Sequence, residues 1–244
     1  MKRTERHHLK ENELVLTVAR VKESYERYKK PIIAGAIALI VVIAGAVGLF
    51  AWRSQTDNQA RTLLADALAV ERAPVAPAPT PGATTPPAPP PGSYPTEKAR
   101  SEAALTRFMA VANQFPGSAA GIAARYHAGA MLSALGRSTE AIQRYQEVVD
   151  RAGGSIYGEM ARLGMADAES QAGQYDKAIA IYKDMAAGRD PKLPVDGILM
   201  QLGRTYAAAG KPADAKRTFR RIAEEFAQSP YTVDAKRLAD QIKD

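Results

Sequence analysis

The sequence predicts an all-α chain in which one membrane-spanning helix precedes an α-solenoid of antiparallel helix pairs. Three observations carry this. Residues 32–52 read IIAGAIALIVVIAGAVGLFAW, without a charge. A pattern of small, aromatic and apolar residues then recurs every 37 residues between Ala104 and Ile222. Alanine is abundant and aromatics make up 7% of the chain, a balance that favours helix over sheet. In chain order, residues 1–30 read as a basic, partly amphipathic tail and 31–52 as the spanning helix. Residues 53–72 read as a further helix, 73–95 as a proline-rich linker or insertion, and 96–244 as the repeats with a C-terminal capping helix.

The tail holds nine Lys or Arg and five Glu, a balance of +4. Leu14, Val18, Val21 and Tyr25 recur at three- and four-residue steps, so residues 9–29 suit an amphipathic helix. Its cations can rest on anionic headgroups or simply face water. His7 and His8 lack a third ligand nearby and read as an exposed pair.

The uncharged run of 21 residues covers ~30 Å as a helix, the thickness of a bilayer core. Arg27, Lys29 and Lys30 precede it and only Arg53 closely follows. The positive-inside rule then places the N-terminus in the cytoplasm and residues 53–244 on the far side. Tyr28 and Trp52 sit where interfacial aromatics belong. Ala44-Gly45-Ala46 resembles a signal-peptidase site, but the segment before the apolar run is too long for a signal peptide and the run continues beyond Ala46. Ala34/Ala38 and Ala44/Gly48 have the small-xxx-small spacing of closely packed membrane helices, a spacing also common without a partner.

In residues 54–72, Ala60, Leu63, Leu64, Ala67 and Leu68 make one apolar stripe, which requires a partner surface. Ten prolines then fall within residues 73–95. Proline removes donors and fixes φ, so this stretch suits a semi-rigid polyproline-II spacer or a surface loop, not helix.

The repeat is anchored on Ala104, Ala141, Ala178 and Ala215. Four residues on stand Phe108, Tyr145, Tyr182 and Phe219. At the chain's aromatic frequency, four chance matches have a probability of roughly 10⁻⁵ before register choice, the sign of a true repeat. Seven residues on stand Val111, Val148, Met185 and Ile222. Gly136, Gly173 and Gly210 lie five residues before the last three alanines, where a left-handed C-cap ends one helix. Gly129, Ala166 and Gly203 lie twelve before, where two helices cross closely. Pro212 suits a first helical turn. Ser229-Pro230 marks the start of a last helix reaching about Ile242, with Ser229 as N-cap. The first copy lacks its first helix; residues 54–72 are the candidate replacement, with 73–95 inserted between the two members of that pair.

These positions resemble the tetratricopeptide repeat. Gly129-Ala141-Tyr145-Val148 and Gly203-Ala215-Phe219-Ile222 match its order and spacing, while the middle copy departs at Ala166 and Met185. The period exceeds the usual ~34 residues by about three. The resemblance implies a concave face lined by the first helix of each pair, here Tyr126, Ser133, Met160, Leu163, Asp167, Gln171, Met200 and Arg204. Some of these are expected to pack against neighbouring helices instead. The whole architecture resembles the ancillary SecYEG translocon subunit of the bacterial inner membrane. That resemblance implies a single-pass protein with a periplasmic repeat domain. Its partners would be translocon subunits, periplasmic chaperones or emerging secretory chains, and lipid around residues 31–52. The segments FPGS and SPYTVDAKRLAD also resemble the cell-division coordinator and an outer-membrane assembly lipoprotein, although the chain has no cysteine to carry a lipid.

The net charge of +7 does not imply nucleic acid, because residues 96–244 mix 21 basic and 18 acidic side chains. The absence of cysteine excludes disulfides and thiolate chemistry. No phosphate loop, H-E-x-x-H or nucleophile elbow occurs, so neither an enzyme, a cofactor nor a metal site is expected. Asp167/Glu169 and Glu224/Glu225 read as solvent-facing pairs, and His127 as a structural histidine.

Overall fold

The computed structural model describes residues 3–77, 90–188 and 192–242; within them, side chains are described at Lys22 and from Tyr28 onward, Ile32 excepted. The chain divides into two compact units, Met1–Gln55 and Thr56–Asp244. Helix α1 runs from Arg3 to Glu71. Pro31 lies inside it and removes one backbone donor. The span from Tyr28 reaches a mean hydropathy of 2.8 over an 18-residue window, none of it buried. Ile40, Leu49 and Phe50 stand exposed. The side chains of Leu14, Val18, Val21 and Tyr25 lie outside the described residues.

In the second unit, the end of α1 is followed by α2 (Glu97–Gln114), α3 (Ala119–Ala134), α4 (Ser138–Ala152), α5 (Ile156–Gln171) and α6 (Tyr175–Ala187). Helices α7 (Val195–Ala208), α8 (Pro212–Glu225) and α9 (Thr232–Gln241) complete it. Each helix from α2 to α9 packs against the next, and tight glycine turns set off the hairpins α3/α4, α5/α6 and α7/α8. Helix α3 also touches α5, and α5 touches α7, whereas among the described residues α4, α6 and α8 make no comparable contact with one another. The first helices of the pairs therefore form an inner layer in mutual contact and the second helices an outer one.

Each hairpin turn has the same cause. Gly136, Gly173 and Gly210 have φ of 72°, 75° and 69°, a region that costs a side chain about 1–2 kcal/mol. The residue after each glycine donates back to Leu132, Glu169 and Tyr206 carbonyls at 2.8–2.9 Å. This is the Schellman closure, which satisfies orphan carbonyls and turns the chain at once into the next helix. Pro212 opens α8 as expected. Ser118 and Ser155, themselves 37 residues apart, cap α3 and α5 by accepting from Gly121 and Gly158 N–H at 2.9 and 3.2 Å.

The repeat alanines at 104, 141, 178 and 215 are wholly buried, as are the four aromatics behind them. Each buried aromatic contributes about 1.5–3 kcal/mol. A Cβ on Gly203 would lie 2.5 Å from the Phe219 ring. One on Gly129 would lie 2.8 Å from the Tyr145 ring, and one on Gly164 would lie 2.6 Å from that ring. Tyr145 is thus gripped between glycines of α3 and α5, and only the first was legible from the repeat.

Ala60 and Ala67 are 0% exposed, packed in one cluster with Ala104, Phe108, Val111 and Ala124, and Leu64 and Leu68 lie against it. The proline-rich stretch does not simply lead away from this cluster. Val75 and Tyr94 form a parallel bridge, with Ala76 N–H donating to Tyr94 O at 2.8 Å and Tyr94 N–H to Pro74 O at 2.9 Å. Arg100 adds a hydrogen bond to Ala73 O. The two ends of the segment are therefore side by side; residues 78–89 lie outside the described residues. One expectation fails at the last helix. Ser229 is not its N-cap, because α9 begins at Thr232. Ser229 instead accepts from Tyr231 N–H at 3.0 Å and donates to Asp196 at 2.6 Å, tying the turn to α7.

A candidate protein-binding face on the first helices

The layer made by α3, α5 and α7 carries a run of aromatic and polar groups. It starts at the end of α1, where Glu71 Oε2 lies 3.2 Å from His127 Nδ1. His127 stacks on Phe108 with centroids 4.9 Å apart. Tyr126 meets His127 edge-on at 5.4 Å, Tyr145 at 5.8 Å and Tyr157 at 6.0 Å. Such tilted contacts align ring edges with ring faces. On α5, Asp167 accepts a short hydrogen bond from the Tyr182 hydroxyl. Farther along, Ser170 and Thr205 hydroxyls stand 3.3 Å apart across α5 and α7.

Burial shapes the electrostatics. It pushes the Asp167 carboxyl above its ordinary value, and the Tyr182 hydrogen bond only partly opposes this. Burial also raises the Tyr126 phenol, helped by the charges of Asp167 and Glu71. Burial likewise raises Tyr145 and Tyr182, with Ser133 opposing the rise at Tyr145. The expectation that Asp167 and Glu169 face solvent is corrected. Helix α5 lies between neighbours on both sides, so Glu169 is only 6% exposed and Asp167 is half-buried.

Of the eight residues expected on this face, Tyr126, Ser133 and Asp167 come together around Tyr145. Met160 and Leu163 on α5 are partly buried, and Leu163 packs against the core formed by α6 to α9. Gln171 and Arg204 are exposed. Met200 is a correction: at 1% exposure it fills that core beside Leu199 and Ile198 and is unavailable to a partner. Tyr157 and Glu71 were missed, whereas His127, read as a structural histidine, does pack, on Phe108 and beside Glu71. Tyr157 has no aromatic counterpart 37 residues away, and Glu71 lies before the repeats, so no periodic signal marked either. Among the described residues, no group of three His, Cys, Asp or Glu side chains is arranged to hold a metal. What the face offers is ring surface, hydroxyls and two partly buried carboxyl groups, Glu71 and Asp167.

Two family models, each described as a tetratricopeptide repeat, match residues 123–155 and 170–237. No curated protein matches the chain. Among solved structures, the chain is similar to the nearly identical TPR-like repeats of a Podosopora anserina protein described as a kinesin light chain, and to a single-substitution form of the same repeats. Each has 15% identity and a TM-score of 0.51, covering 59% of this chain and 77% of that one. At that identity the likeness concerns the fold alone, a tetratricopeptide-type α-solenoid; the matched repeat models indicate a protein–protein interaction module.

Proposed function

We propose that this tetratricopeptide-repeat chain is a non-enzymatic adaptor, anchored in a bacterial inner membrane through residues 31–52, that holds a protein segment against the first helices of its repeats. The observation that carries the binding role is the convergence of Tyr126, Tyr157 and Asp167 on one partly open face. Phenols give large, rigid contact area with a polar tip, and a half-buried carboxylate orients a donor more strongly than one in water. The unburied apolar span supports the anchor, and the cations before it support a cytoplasmic N-terminus. In this reading the repeats stand in the periplasm as an ancillary part of the protein-export channel, where the segment held is an emerging secretory chain or a periplasmic chaperone.

A photo-crosslinking amino acid at position 157 tests this in intact membranes. Crosslinks to translocon subunits or exported chains, lost in Tyr126→Ala/Met160→Ala, are expected. Crosslinks only to copies of the chain itself would favour an envelope scaffold and overturn the adaptor reading. Protease added from the periplasmic side should cleave the 73–95 segment and spare residues 1–30; the reverse pattern refutes the orientation.

A further inference from the structure

The opposite side of α5 carries a second kind of site. Helices α4 and α6 stand apart with α5 as the floor between them, leaving a groove of ≈ 640 Å³. Ile142, Ala180 and Ile181 give it apolar walls, and Met165 and Glu169 lie on its floor. Asp167 and Glu169 are two residues apart, hence about 200° around the helix, so one serves the tyrosine face and the other this groove.

The groove floor holds one carboxylate oxygen without a hydrogen-bond partner. Glu169 Oε2 is buried and accepts no hydrogen bond. The other acid on the wall, Glu147, is already taken by Arg125 and Arg144, each at 2.7 Å. Lys177, the groove's own cation, turns its ammonium to Gln174 Oε1 at 2.6 Å. Buried polar groups are nearly always paired in native proteins, and a buried carboxylate without a partner is costly. An apolar trough with a carboxylate on its floor, one oxygen of which is occluded and unpaired, suits a long aliphatic stem that ends in a cation.

The next repeat supplies an internal comparison. A groove of ≈ 320 Å³ lies between α6 and α8 over α7. Its Lys183, Leu202, Tyr206, Arg217 and Thr218 stand 37 residues after Gln146, Met165, Glu169, Ala180 and Ile181. The same wall positions recur with the carboxylate replaced by a phenol and with cations added, so the acidic acceptor belongs to the first groove alone of this pair.

We propose that the α4/α5/α6 groove is a second docking site, distinct from the tyrosine face, which takes an arginine or lysine side chain of a partner protein onto Glu169, with a flanking aliphatic residue over Ile142, Met165 and Ile181. The test uses the full chain in lipid nanodiscs, with isoleucine and methionine methyl groups labelled for NMR. The probe is N-acetyl-leucyl-arginyl-leucinamide, compared with analogues carrying neutral citrulline or glutamate in the centre. The arginyl peptide is expected to shift the Ile142, Met165 and Ile181 methyls. Citrulline should weaken binding at least tenfold, and Glu169→Gln should do the same for the arginyl peptide, because a charge-assisted hydrogen bond is lost. Equal affinity for the citrulline peptide, or shifts confined to Met160 on the other face, overturns the proposal without requiring the variant. Concentration-dependent self-association that Glu169→Gln abolishes would assign the groove to a second copy and equally overturn it.

Discussion

Replacing Gly129 by alanine sets two effects of opposite sign against each other. In a helix interior the change should stabilise by about 0.8–1.0 kcal/mol, since glycine loses more backbone entropy. Against this, the new methyl would lie 2.8, 2.9 and 3.0 Å from three atoms of the Tyr145 ring. The ring cannot retreat, because Gly164 Cα faces it from α5, where an added Cβ would lie 2.6 Å away. Overpacking of this kind costs about 1–3 kcal/mol, so the clash wins. Gly197→Ala is the control: its Cβ would meet only Tyr231, at 3.6 Å, an ordinary contact. The two variants should therefore differ by about 2 kcal/mol, or roughly 4–8 °C in Tm for a domain of this size. Thermal unfolding of the full chain in nanodiscs, followed by far-UV circular dichroism, reads this directly. In a Tyr145→Leu background the penalty should vanish and Gly129→Ala should become stabilising, a coupling that a double-mutant cycle isolates. If Gly129→Ala stabilises the parent chain as much as Gly197→Ala, the close approach of α3 to Tyr145 is not what requires the glycine.

Two further outcomes follow from the same packing. Leu64→Asp/Leu68→Asp should cost about 3–5 kcal/mol, from lost apolar burial and from charge placed against Ala104 and Phe108; an unchanged melting curve would show that α1 does not contribute to the repeat core. Asp167 has a raised folded value, so the native state retains a proton that the unfolded chain releases, and its contribution to stability is complete below the ordinary carboxyl value near 3.9 and lost as pH rises through the folded one. Asp167→Asn should consequently gain stability relative to the parent as pH rises from about 3.5 to 7; a difference in Tm that is flat or falls with pH contradicts the burial argument.

Several elements of the fold could be read from residue order because each repeat solves the same problem. The left-handed turns at Gly136, Gly173 and Gly210 are local, and a glycine followed at once by a new helix reports them without tertiary information. The Gly129–Tyr145 and Gly203–Phe219 approaches recur at a fixed separation of sixteen residues, so the period exposes them too. The candidate face was harder to read. Tyr126 and Asp167 came from the resemblance to the repeat family, but Tyr157 and Glu71 do not recur, and Met200 shares its helix with exposed residues.

By itself the sequence determined a helical repeat of period 37, its turn glycines, its buried alanine and aromatic positions, and an uncharged span long enough for a membrane. All of these depend on neighbours in the chain or on a contact repeated identically in each unit. Only the tertiary structure decided which sides of α5 are covered, and with them the opposite fates of Asp167 and Glu169. It also decided that Met200 is core, that Gly164 closes on Tyr145, and that the ends of the proline-rich stretch meet at Val75 and Tyr94. These depend on how one helix pair stacks on the next. Such contacts join residues that differ from copy to copy, so the period carries no record of them.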